Sequence, residues 1–186
     1  MSMRLLLFFV ITIFTFNTFA DTFEFEKCGI QIDLLGQSTI QEQTVPLNPE
    51  NTAHISNRTS VQELAEGRLV TAVMCVFITG EADAEKRAFQ PAQSLQQMIA
   101  RMEQSGITVA DSKLLDADPD ESHRRGFELD ASQAGQPIYA RGMFIQKPDE
   151  MLSYSVFVLG SSRLKAKMVK ELRTTLASIT PIPERN

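Results

Sequence analysis

An α+β domain, with a central antiparallel sheet of about six strands flanked by two amphipathic helices, is the fold this sequence predicts. Three observations carry that expectation. The stretch Leu69 to Ile78 is apolar at every position but Thr71 and rich in β-branched residues, which reads as a strand covered on both faces. Two later stretches repeat apolar residues at helical spacing. Between them, four strand-like segments are joined by short separators with turn chemistry.

Taken in order, Phe23 and Phe25, then Ile30, Ile32 and Leu34, alternate at period two and predict two short half-buried strands with a bend at Lys27-Cys28-Gly29. Gly36 to Ser60 is polar, rich in Asn, Thr and Gln, and carries Pro46 and Pro49, so it reads as a long loop. Thr44-Val45 or His54-Ile55 could add a short strand within it. The apolar strand 69–78 follows. Pro91 then precedes the stripe Leu95, Met98, Ile99 and Met102, which predicts a helix closed by Gly106 in the left-handed position. Ile107 to Leu115, His123 to Ala131, Pro137 to Gln146 and Met151 to Leu159 predict a meander. Its turns are Asp116-Ala117-Asp118-Pro119-Asp120, Gln133-Ala134-Gly135-Gln136 and Lys147-Pro148-Asp149-Glu150. Ser161 and Ser162 offer N-caps for a last helix with the stripe Leu164, Met168, Leu172 and Leu176, and a frayed tail is expected from Thr180 to Asn186.

The N-terminus has the three parts of a secretory leader: Arg4, an apolar run from Leu5 to Phe16 broken only by Thr12 and Thr15, and small residues Thr18 and Ala20 before Asp21. The run is shorter than the roughly 20 residues a membrane span needs, which disfavours the competing reading as an uncleaved anchor. Residues 1–20 are therefore expected to be a cleaved signal peptide and 21–186 a single domain, periplasmic or secreted. The residue after the cleavage point is Asp21 and not cysteine, which argues against a lipoprotein. The whole chain carries 18 Lys and Arg against 23 Asp and Glu. That acidic balance argues against a nucleic-acid or anionic-membrane partner, which would need a clustered basic face. Cys28 and Cys75 are the only cysteines, and in an oxidising compartment a bridge between them is the natural proposal. Two small buried thiols are the alternative.

The helix from Gln93 to Ser105, the meander, the closing strand Leu152-Ser153-Tyr154-Ser155-Val156-Phe157-Val158 and a helix ending Leu176-Ala177-Ser178-Ile179-Thr180-Pro181 together resemble the PsbP/DcrB-like family of small exported α+β proteins. The resemblance is one of pattern and spans the C-terminal two thirds. It implies a sheet between helices and an accessory, chaperone or binding role, with no catalytic signature to carry over. The chain departs from the family pattern in lacking tryptophan and an aromatic-rich N-terminal loop.

Chemistry-bearing motifs are sparse. No Gly-x-Ser-x-Gly elbow or phosphate-binding Gly-x-x-x-x-Gly-Lys occurs, and the two histidines, His54 and His123, lie in different segments without zinc spacing. No cofactor is expected. His123-Arg124-Arg125 could form a small anion patch or a solvated strand start. Asp116, Asp118 and Asp120 copy the first three ligands of a calcium loop, but Glu121 stands where glycine belongs and Phe127 where the bidentate glutamate belongs. An acidic turn is the plainer reading. Asn57-Arg58-Thr59 matches a glycosylation sequon.

Three function classes remain. The leading one is a non-enzymatic exported binding or accessory protein acting through protein contacts. Its recognition surface is expected at the 36–60 loop, the acidic turn or an exposed sheet edge. The second is a periplasmic immunity or inhibitor protein against a toxin. The third is a hydrolase or transferase with an unrecognised site using Asp, Glu and Tyr139 or Tyr154.

Overall fold

A computed structural model of the chain describes residues 20–80, 90–116, 123–147 and 152–183. The leader up to residue 19, Asp118 and Asp120 lie outside the described residues. The elements follow one another as β1 (Ala20–Phe25), a 3₁₀ turn (Glu26–Cys28), β2 (Ile30–Leu35), β3 (Gln37–Pro46), β4 (Thr52–Leu64), β5 (Gly67–Thr79), α1 (Pro91–Gln104), β6 (Ile107–Leu114), β7 (Arg124–Gln133), β8 (Gln136–Lys147), β9 (Leu152–Ser161), α2 (Lys165–Ala177) and β10 (Thr180–Pro181). The α+β expectation holds, but the strands divide between two sheets. One has seven strands in the order β3-β4-β5-β9-β8-β7-β6, and a smaller one has the order β1-β2-β10.

Every pairing is antiparallel. The meander β6 to β9 forms as the turn chemistry predicts, and its last strand returns beside β5, so the most apolar strand sits near the middle of the sheet. Alternation then sorts the two faces. Leu69, Val73 and Cys75 of β5, with Tyr154, Val156 and Val158 of β9 and Tyr139 and Ile145 of β8, face one side. There they meet Ile30, Ile32 and Leu34 of β2 and Leu164, Met168 and Leu172 of the last helical segment in one core. Phe127, Leu129, Ala140 and Phe144 face the other side and pack against Leu95, Met98, Ile99 and Met102 of α1. The two helices therefore cover opposite faces, and α2 shares its face with the small sheet.

Pro91 stands in the first turn of α1, where its missing N–H costs nothing. Gly106, at φ +80, ends it in a conformation that side-chain-bearing residues resist. The last helix begins with a 3₁₀ turn, Ser162–Leu164, and the Ser161 hydroxyl accepts from the Arg163 amide at 3.4 Å.

The segment 36–60 departs from expectation. It is not a loop: most of it forms β3 and β4, a ladder in unbroken register from Gln37 opposite Val61 to Pro46 opposite Thr52. The alternative strands at Thr44-Val45 and His54-Ile55 fall inside these two long ones. The tail also differs, because Thr180 and Pro181 pair with Gln31 and Ile30, and the Ile182 amide donates to Gly29 O at 2.9 Å. Cys28 and Cys75 are placed as a pair, 6.5 Å apart at Cα, where the 3₁₀ turn meets β5. Both are buried.

Candidate functional site

The large sheet has two edges, and they are built differently. At β6 the edge carries a bulge between Val109 and Asp111, two charged residues, Asp111 and Lys113, and packing from α1. Bulges, charges and cover are the devices by which sheets keep an edge from pairing further. At β3 the register is unbroken over ten residues, Gln37 to Pro46, and Glu42 is the sole charge. Only Pro46, at its end, lacks a backbone donor. Its outer side pairs with nothing among the described residues. Ile40, 47% exposed, and Leu47, 53% exposed, are the exposed large hydrophobics among the described residues, and both lie in or just after this strand.

Behind β3, on the face that carries Ile40, stands Arg58 of β4, directly opposite Ile40 in register. Its guanidinium lies 4.0 Å over the Phe23 ring, Nη1 reaches Ser38 Oγ at 3.5 Å, and Nε has no hydrogen-bond partner among the described residues. Partial burial lowers its pKa, opposed by the charge of Glu42. The Glu42 carboxylate accepts instead from Ser56 Oγ, at 3.3 Å. This corner holds a half-buried cation that feels the charge of the neighbouring Glu42 but makes no salt bridge among the described residues, next to an open strand.

A second polar cluster sits on the same face, farther along the sheet. Glu128 of β7 is paired with Arg141 Nη1 of β8 at 2.6 Å and with Lys113 Nζ of β6 at 3.0 Å. Burial by itself would raise the Glu128 pKa. Hydrogen bonds from Lys113 and the Tyr139 phenol, and the charges of Arg141 and Lys113, outweigh it and hold the carboxyl below its ordinary value. Burial first, then the bond to Glu128, push the Tyr139 phenol up to about 12, so it stays a protonated donor. Lys165 lies 4.2 Å over the Tyr139 ring and pairs with Asp130 at 3.1 Å. Each charge in this cluster is met by an opposite one, and the arrangement joins β6, β7, β8 and α2. It has the chemistry of a structural ion network. A Tyr at 139 and an Arg at 141 share a strand face, which is the one local signal for it; Glu128 joins only through the β7–β8 register.

The residues singled out from the sequence are otherwise dispersed. Tyr139 and Tyr154 sit opposite Gly160 and Cys75 respectively, far apart along the sheet, and do not share a site. Asp116 is exposed, and no group of three metal-ligating side chains occurs among the described residues. His54 stacks on Phe77 and approaches Thr44 Oγ1 at 3.4 Å and Thr79 Oγ1 at 3.3 Å, while His123 is exposed in the turn just before β7. Arg124 and Arg125 are successive residues of β7 and point to opposite faces, so they do not converge on one anion. The Asn57 sequon lies in the middle of β4, paired on both sides, and not in a surface loop.

No known family matches the chain, and no curated protein does. Among solved structures the chain is similar to LpqN of Mycobacterium tuberculosis, a protein involved in cell envelope biogenesis, with 13% identity, 77% of this chain and 92% of that one covered, and a TM-score of 0.39. It is also similar to the cyanobacterial PsbP (CyanoP) of Synechocystis sp. PCC 6803, with 8% identity, coverage of 87% and 92%, and a TM-score of 0.46. A third is the Pseudomonas aeruginosa protein PA94, of unknown function and a putative regulator, with 10% identity, coverage of 88% and 98%, and a TM-score of 0.37. These are likenesses of overall chain course, and nothing about activity follows from them.

Proposed function

We propose that this is an exported, non-enzymatic binding or accessory protein that works through protein–protein contacts, with the outer edge of β3 as its contact surface. The observation that carries the reading is the contrast between the two edges. β6 is bulged, charged and packed by α1, whereas β3 offers ten residues in regular register beside the exposed Ile40. An extended segment added there gains main-chain hydrogen bonds along the strand, and alternate side chains supply specificity. The polar composition of β3 suits a surface that is solvated when free and paired when bound. A leader-like N-terminus and a cysteine pair at bonding distance support the exported setting.

The test is capture of partners by residues 21–186 from a periplasmic extract of the host, compared with a Thr39→Lys/Gln41→Lys variant. Lysines on an edge strand oppose pairing without touching the core. The reading expects a stoichiometric partner with the parent chain and its loss with the variant. Equal capture by both would overturn it.

A further inference from the structure

We infer that the strand completing this edge is β3 of a second copy, paired antiparallel about Gln41, so that two large sheets join into one across a two-fold axis. The inference rests on the reading of β3 as the contact surface and names its partner.

The strand is complementary to itself. Antiparallel pairing about a two-fold normal to the sheet keeps each side chain on its own face, so even positions meet even and odd meet odd. Centred on Gln41, the register sets Ile40 against the partner's Glu42, Ser38 against Thr44, Thr39 against Gln43 and Gln37 against Val45. No like charges meet, and Pro46 falls outside the paired segment. Centring on Glu42 instead would place two carboxylates opposite each other, which is unfavourable.

The same register answers two unsatisfied features of the corner. Arg58 stands directly behind Ile40, and the partner's Glu42 arrives directly in front of it. The three residues form one row across the interface on one face. Arg58 and that Glu42 are two strand spacings apart, about 10 Å between Cα atoms, a span that an extended Arg and Glu together cover. A half-buried cation whose Nε lacks a partner among the described residues thereby gains a second carboxylate beside its own Glu42, and the exposed Ile40 is covered by the pair that closes over it. Both copies make the contact, so it occurs twice.

Sedimentation equilibrium of residues 21–186 reads the association, and cysteine cross-linking reads the register. Gln41→Cys should form a covalent dimer under mild oxidation. Gln37→Cys and Val45→Cys should cross-link when mixed, and neither should do so alone. Glu42→Arg, at an exposed position, should weaken the dimer by tenfold or more by facing Arg58 with a like charge. A chain that stays monomeric up to about 1 mM overturns the inference. So does a dimer that Gln41→Cys fails to trap, or one that Glu42→Arg leaves unchanged. If the parent chain is monomeric but the lysine variant loses a captured partner, this inference falls and the reading of the edge stands; if capture is also unchanged, both fall.

Discussion

Reducing the Cys28–Cys75 pair should cost the fold a large share of its stability. The two cysteines are separated by 47 positions, so a bridge between them closes a loop of that size in the unfolded chain. On the chain-entropy model such a closure is worth about 4 kcal/mol at 25 °C, an upper figure because native strain subtracts from it. Against the roughly 5–15 kcal/mol by which domains are stable, that is a decisive fraction. For a domain of this length each kcal/mol moves the melting temperature by about 2–4 °C, so reduction should lower it by about 8–16 °C. The loss should be local first. Cys28 lies in the 3₁₀ turn between β1 and β2, so the small sheet would lose its covalent hold on β5. Thermal unfolding of exported protein followed by circular dichroism, with and without reductant, reads the shift. Intact mass and alkylation count the thiols. A melting curve indifferent to reductant, together with two alkylatable thiols in the untreated protein, would refute the reasoning.

Other perturbations probe the packing and its pH dependence. Leu172→Asp places an unpaired carboxylate in the core between α2 and the sheet, where Leu172 is buried, and should destabilise by about 3–5 kcal/mol; an unaltered chemical-denaturation midpoint would reject the assigned face of α2. Gly142→Ala adds a methyl that overlaps the Phe127 ring and lies 2.7 Å from Phe157 Cβ, so denaturant unfolding should show a loss of about 1–3 kcal/mol. Glu171, whose pKa burial raises despite a 2.9 Å hydrogen bond from Gln62, holds its proton more tightly in the folded state. Its contribution is therefore complete below the ordinary carboxylate pKa and is lost as pH rises through the raised folded value. Glu171→Gln should stabilise the fold at pH 7 and leave it unchanged near pH 4, read as a difference between two pH-dependent melting curves.

The parts of the fold that are legible in the sequence are those where one physical requirement dominates. The β5 run announces a strand because its inward face, Leu69, Thr71, Val73 and Cys75, is buried and its other face is apolar too, although Val70, Met74 and Val76 there are only half-buried; the separators between β6 and β9 carry Gly, Pro and Asp. β3 and β4 are illegible for the opposite reason. On an edge strand neither face of Gln37 to Pro46 is buried deeply enough to demand an apolar residue, so no alternation appears. On β4 the deeply buried inward positions include Ser56 and Ser60, whose small size lets the small sheet approach; the Ser60 hydroxyl bonds to Leu35 O. A burial pattern written in serine looks like a loop. β10 is two residues long and depends on pairing with β2, a contact that no local pattern encodes. The candidate surface is foreseeable only in kind, as a sheet edge. Its location needs the strand order, because an unpaired edge is a property of topology. Arg58 gives no signal either, since its placement against Phe23 and Ser38 arises from three separate strands.

Hydrogen exchange of the β3 amides tests the central claim most directly. The protein is compared as dilute free chain and in its bound state, whether the self-assembled dimer or a captured complex. The account predicts that the alternate amides of residues 37–45 that point away from β4 exchange quickly in the free chain and become protected on binding, while those of the bulged β6 edge stay as they were. Protection that appears elsewhere on the molecule, with β3 unchanged, would contradict it.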